Sequence, residues 1–140
     1  MAGSKAGLND VGLLLLRIAG IGLAVHGWPK MAAAFASLGS ESAPWGFVDS
    51  VRKLGFPQPV LFAWAAAVAE FVGGIAVALG IYTRVFAATA AFTMGVAAFL
   101  KHSPDGFDKR ELALLYLVVH LGLLCLGGGS LTVDSFWRKK

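Results

Sequence analysis

Glu70 stands in the middle of an almost wholly apolar run, Val60 to Gly80, which is long enough to cross a membrane. A charged residue at bilayer depth costs roughly 2.5–3.5 kcal/mol on insertion scales, so an intramembrane carboxylate marks a functional site by default. The chain has other residues of this kind. Arg17 and His26 fall in the first apolar run, and Glu111 and His120 in the last, with Tyr116 one helical turn from His120. A glutamate, a histidine and a tyrosine around a buried cavity would suit a quinone. The histidine or tyrosine would donate a hydrogen bond to a carbonyl oxygen, and the carboxyl group would take or supply the proton that accompanies the electron.

Helix rise sorts these residues by depth. Arg17 lies six residues inside Val11, or about 9 Å at 1.5 Å per residue. Glu70 lies ten residues from Gly80 at the same end, or about 15 Å. The gap of about 6 Å is within reach of two long side chains, so the arithmetic predicts an Arg17–Glu70 pair. His120, six residues from Leu126, is also about 9 Å in. One candidate group is therefore Arg17, Glu70, Tyr116 and His120, as an intramembrane pocket or an ion-pair cluster. Two readings of the pair stand side by side: a functional site, and a structural ion pair that fixes helix pairing without adding net stability. For His120 alone, a core histidine bonded to a helix carbonyl or to Glu70 is the favoured reading.

A second group, His26, Lys30, His102 and Glu111, lies toward the opposite surface. Glu111 is placed at the start of its helix, where a carboxylate meets the positive end of the dipole. His26 and Lys30 flank Trp28-Pro29 and would hold the following loop or a substrate anion. Arg17 and His26 are nine residues apart, as are Glu111 and His120. At 100° per residue each pair is half a turn out of phase, so the two groups occupy different faces. Haem ligation by His26 and His120 is rejected, because their depths differ by on the order of 10 Å or more. A metal site is not expected either, since His102 and Glu111 lack ligand spacing.

The elements that must position these residues are apolar. Of the 140 residues, 57% are hydrophobic and 14% charged, against about 25% charged in soluble domains, and the mean hydropathy is +0.72. The length suits one domain, residues 1–140, and not two. Four apolar stretches, about 11–28, 60–80, 85–100 and 111–126, predict an all-α membrane protein with a bundle of four transmembrane helices. A soluble four-helix bundle would need a polar face on each helix, and Leu13–Leu16, Ala65–Ala69 and Leu112–Leu117 offer none. The net charge of +4 is spread over loops and termini without interleaved aromatics, which argues against nucleic-acid binding.

Cys125 is the single cysteine, so no intramolecular disulfide or dithiol relay is available, and it reads as a small buried hydrophobe. The N-terminal run, with Lys5 before it and Arg17 inside it, reads as a retained first helix and not as a cleaved signal.

Pro29 is expected to end the first helix. The loop from Pro29 to Pro59 carries Met31, Phe35, Trp45, Phe47, Val51 and Leu54, which predicts a short interfacial helix within it. Gly127-Gly128-Gly129 ends the last helix. In the second helix Ala66, Glu70, Gly74 and Ala78 form a row at i+4 spacing, which invites close approach of a neighbour. Trp28, Trp64, Tyr82 and Trp137 lie near span ends and read as interface anchors. Four spans place both termini on one side. That side carries Lys5, Arg84, Arg138, Lys139 and Lys140, five basic residues against six on the other. The Arg138-Lys139-Lys140 cluster tips the expectation toward cytoplasmic termini.

Several motifs occur in order along nearly the whole chain. They are Leu14-Leu15-Leu16-Arg17-Ile18-Ala19-Gly20, His26-Gly27-Trp28-Pro29-Lys30, Gly55-Phe56-Pro57, Ala69-Glu70-Phe71-Val72-Gly73-Gly74 and Leu79-Gly80-Ile81-Tyr82-Thr83-Arg84. His102, Gly106-Phe107 and Glu111-Leu112-Ala113-Leu114-Leu115-Tyr116 follow. Together they resemble the DoxX family of small integral membrane proteins. The resemblance implies a four-helix protein of the cytoplasmic membrane. In function it implies several unlike things: thiosulfate oxidation coupled to quinone, oxidative-stress membrane complexes, and assembly of membrane receptors in a distant animal branch.

The reading that follows is a membrane redox accessory protein, with no intrinsic cofactor, that binds quinone or a similar lipophilic substrate within an oxidoreductase complex. The chain shows no nicotinamide or flavin fingerprint, so its electron donor would be another subunit. The alternatives are a non-enzymatic assembly factor or structural subunit, and a small transporter that would need to be a homo-oligomer.

Overall fold

The computed structural model describes residues 7–38 and 45–138. Lys5, Glu41, Pro44, Lys139 and Lys140 fall outside the described residues, and with them part of the charge count used for sidedness. Among the described residues every regular element is helical.

Helix α1, Leu8–Arg17, starts at Gly7, where Asp10 in its first turn accepts a hydrogen bond from the Gly7 N–H at 3.2 Å. The helix is interrupted at Ile18, where i→i+3 bonds (Ile18 to Leu15, Ile21 to Ile18) replace the regular ladder, and resumes as α2, Ala19–Leu38. The expected stop at Pro29 is therefore corrected: α2 continues nine residues beyond it. Proline removes one donor, but apolar helices tolerate the loss where neighbours and local adjustment satisfy the freed carbonyl. The segment that follows is rich in alanine, the best helix former. Its Met31 and Ala34 bury against Trp45, Val51, Ala63 and Ala67. Packing and propensity together outweigh the proline.

The expected helix in the first loop is present as α3, Gly46–Lys53, with Val51 buried. Trp64 does not stand as an isolated anchor: its ring meets Phe35 at 5.6 Å and Trp45 at 5.4 Å, both edge-on.

Helix α4, Pro59–Leu79, has Pro59 at its first position, where the missing N–H costs nothing, and Gly80 at its end with φ 74°. It packs antiparallel to α2 along a seam of small residues. A Cβ placed on Gly74 would stand 2.7 Å from the Ala24 nitrogen, one on Gly20 2.9 Å from the Ala78 nitrogen, and one on Gly27 2.7 Å from the Phe71 nitrogen. Backbone against backbone leaves no room for a shift, so this seam sets the register of the two helices.

Helix α5, Thr83–Val96, passes into a π-helical segment, Ala97–Lys101, closed by the His102 N–H donating to Ala97 O at 3.0 Å. Helix α6, Phe107–Leu126, returns against α5, burying Ala90, Met94, Ala98 and Ala113 with Leu23 of α2. Its start lies four residues before Glu111, so the carboxylate in its first turn is Asp108, and Glu111 is an exposed residue of the second turn. Cys125 is exposed on the outer face of α6, off the stripe that buries Ala113, His120 and Leu123, which corrects its reading as a buried hydrophobe.

Beyond Gly127 the chain folds back under the α4–α5 turn and ends in a short helix, α7, Val133–Trp137. Asp10 accepts from the Ser130 N–H at 2.7 Å, and Asp134 accepts from the Tyr82 N–H at 2.7 Å. The start of α1, the α4–α5 turn and the C-terminal segment therefore share one end of the bundle.

Three helical stretches, Leu8–Leu38, Pro59–Leu79 and Thr83–Lys101, are long and apolar enough to cross a membrane. Helix α6 begins with Asp108, Lys109, Arg110 and Glu111, which shortens its uninterrupted apolar run.

Candidate functional site

The α2–α4 register decides what Glu70 meets. Glu70 faces Gly27, whose Cβ would stand 2.7 Å from that of Glu70. Lys30, nearly one turn further along α2, reaches back and places Nζ 2.6 Å from both carboxylate oxygens. Glu70 is 2% exposed and Lys30 20%. The lysine ammonium also lies 5.0 Å from the centre of the Phe47 ring of α3, a cation–π contact on its far side.

The predicted Arg17–Glu70 pair is thus corrected. Arg17 sits level with Gly80, whose Cβ would meet its Nη1 at 2.6 Å. Ten residues of α4, about 15 Å of rise, separate that level from Glu70. The depth estimate failed because it aligned Val11 with Gly80, whereas the glycine seam aligns Arg17 with Gly80.

Arg17 is buried and donates instead to the carbonyls of Gly128 at 3.0 Å and Leu131 at 2.8 Å. It occupies the last turn of α1, beside the ends of α4 and α6, so the negative ends of three helix dipoles converge on its charge. It holds the C-terminal segment in place and takes no part in the Glu70 site.

His120 is fully buried, and its Nδ1 donates to Tyr116 O of its own helix at 2.7 Å; its Nε2 has no partner among the described residues. This is the core-histidine arrangement, and it too is separate from Glu70. The Tyr116 hydroxyl packs directly on Gly22, and Tyr116 lines the cavity that Glu70 faces. Of the four residues grouped by depth arithmetic, Glu70 and Tyr116 share that cavity, and Arg17 and His120 do not line it.

The cavity measures about 660 Å³. Its walls are apolar and aromatic, with Phe47, Phe56, Phe62, Phe86 and Phe92 among them. Its polar end gathers His26, Lys30, Glu70, Lys101, His102 and Lys109. Three of the four residues of the expected outer group, His26, Lys30 and His102, therefore come together, joined by Glu70; the exposed Glu111 stands apart. His26 and Lys30 share a face of α2 because they are four residues apart. That spacing was the available signal that these two belong together, and it carries nothing about Glu70 on α4.

His102 Nδ1 donates to Asp105 Oδ2 at 2.7 Å, within the turn before α6. This hydrogen bond is the main reason the Asp105 carboxyl titrates below its ordinary value, and Lys109 at 3.9 Å adds to it.

Lys101 was counted only as a loop charge. It closes the π-helical segment and lines the cavity, yet it makes no hydrogen bond or ion pair among the described residues. No sequence signal marks a π turn at Ala97–Lys101, though a lysine next to a histidine at the end of an apolar run was visible.

The size of the cavity, its apolar walls and its few convergent polar groups are those of pockets that hold small molecules. Comparison with known proteins agrees with a membrane setting. The DoxX family model matches residues 12–103. A protein of Bacillus subtilis (strain 168), named "Putative oxidoreductase CatD", is 30% identical over 129 residues, covering 91% of this chain and 87% of the relative. No solved structure matches the chain. With its apolar helices and the family model spanning most of the bundle, this chain is a membrane protein and belongs to the DoxX family.

Proposed function

We propose that this protein is a redox-associated accessory subunit of the cytoplasmic membrane that binds a quinone or a similar lipophilic substrate between α2, α4, α5 and α6. The observation that carries this reading is the Lys30–Glu70 pair at the polar end of an aromatic-walled cavity of about 660 Å³. The residues present fit such a ligand. The phenylalanines would enclose its ring and tail, and His26, His102 and Lys101 offer donors for a carbonyl oxygen. When bound, the quinone would supply the electron-accepting chemistry. The chain's own part is to exclude water from the ring, orient it by hydrogen bonds and keep a carboxylate and an ammonium beside it. The name of the Bacillus subtilis relative supports a redox context.

In this reading α6 is the fourth span, with its charged first turns at the membrane surface, and α3 lies in the interface. The end bearing Arg84 and Arg138 faces the cytoplasm, and the electron donor is another subunit.

The test is solvent extraction of the purified protein, followed by titration with a short-chain quinone analogue. The expected result is a quinone in the extract and saturable analogue binding that Thr93→Trp, which fills the cavity, abolishes. Absence of quinone, with no analogue binding and unchanged behaviour of Glu70→Gln, would leave the non-enzymatic assembly reading in its place.

A further inference from the structure

The charges around the cavity do not balance. Among the side chains that line it, Lys30, Lys101 and Lys109 are cationic and Glu70 alone is anionic. Glu70 is already engaged through both oxygens by Lys30. Lys109 has Asp105 at 3.9 Å, and His102 uses Nδ1 on the same aspartate. Lys101 makes no direct ion pair among the described residues, and Glu70 and Asp105 act on it only at longer range.

Lys101 also occupies an uncommon backbone. It ends a π-helical segment, in which Ala98 is buried and Ala97 and Lys101 both line the cavity. A π turn inserts one residue and rotates all that follows, and such turns recur at functional sites. Ala97 and Lys101, four residues apart, stay near one face of the helix, and the π turn falls where that face meets the cavity. An apolar chamber ending in an unpaired ammonium, with a neutralised carboxylate beside it, is complementary to a tail joined to a negative head.

We infer that the cavity selects anionic amphiphiles, with the head, a carboxylate or phosphate, against Lys101 and the tail among the phenylalanines. This rests on the proposed lipophilic-ligand reading of the same cavity and narrows its substrate class. The shared chemistry could come from a free lipophilic acid or from an anionic membrane phospholipid.

The test uses the full-length protein in neutral-lipid nanodiscs and three probes: a fluorescent long-chain fatty acid, its methyl ester with the same tail, and a short-chain quinone analogue. The acid is expected to bind at least about tenfold more tightly than the ester, equivalent to about 1.4 kcal/mol. Lys101→Gln should erase that difference by weakening the acid more than the ester, and Lys101→Arg should keep it. Displacement of the acid by phosphatidylglycerol but not by phosphatidylcholine would assign the ligand to the membrane, and lack of displacement to a free acid; either supports the inference. Equal binding of acid and ester, with the quinone analogue still bound, overturns the inference and leaves the proposed function standing. Failure of all three probes overturns both.

Discussion

Glu70 is paired with Lys30 and not with Arg17, and double-mutant cycles in the whole protein separate the two. Lys30→Met leaves a carboxylate that is 2% exposed without its cation. Breaking a buried pair from one side costs about 3–5 kcal/mol, because the remaining charge is stranded. Lys30 is 20% exposed, so water shares in solvating its ammonium, which puts the expected loss at the lower end, about 3 kcal/mol. Glu70→Leu should cost less than that, and the double variant Lys30→Met/Glu70→Leu should return close to wild type, since apolar replacement of both partners is often neutral or better. With the double variant near wild type, the coupling energy is the sum of the two single costs, at least about 3 kcal/mol. Arg17 lies about 15 Å from Glu70 by helix rise. At an effective dielectric of 20 their attraction is about 1 kcal/mol or less. The assay is reversible unfolding in mixed micelles of increasing denaturing-detergent fraction, followed by the fluorescence of the four tryptophans. Coupling of Glu70 to Arg17 that equals or exceeds its coupling to Lys30 would refute the reasoning.

Other consequences follow from the same structure. Gly27→Ala drives a methyl group to 2.7 Å from the Phe71 nitrogen and should cost about 1–3 kcal/mol in the same unfolding assay, whereas Gly12→Ala, with nothing within 4 Å, should be neutral or slightly stabilising. Arg17→Met removes the donor to Gly128 and Leu131, so amide exchange across 128–134 should accelerate by tenfold or more while exchange around Glu70 stays unchanged. The Asp105 carboxyl titrates below its ordinary value of 3.8 in the folded protein, chiefly through the His102 hydrogen bond. Its stabilising contribution is thus complete above that value and lost as pH falls through the lower folded value. Asp105→Asn should flatten this acid-side dependence in unfolding measured between about pH 5 and pH 2.5, and leave stability at higher pH almost insensitive to pH.

The sequence by itself determined that the long apolar runs are helical, because such a run bounded by glycine or proline leaves the backbone few ways to satisfy its polar groups. Val60–Gly80 was legible as a helix to within a residue at each end, and the small-residue row through Glu70 and Gly74 announced a tight neighbour. The types of the polar residues were equally plain, but the shared face of His26 and Lys30 was hidden by ending the helix at Trp28. Pro29 was misread, because a local breaker says nothing of the packing that Met31 and Ala34 gain beyond it. Partnership was not legible at all. It depends on register, and register was set by backbone contacts of Gly20, Gly27 and Gly74 across the α2–α4 seam, to which hydropathy is blind. A slip of six residues along one helix, about 9 Å, separates an Arg17–Glu70 pair from the Lys30–Glu70 pair that the tertiary structure chose. The π turn at Ala97–Lys101 is likewise visible only in the tertiary structure, since nothing in the residues of that stretch distinguishes it from an ordinary helical turn.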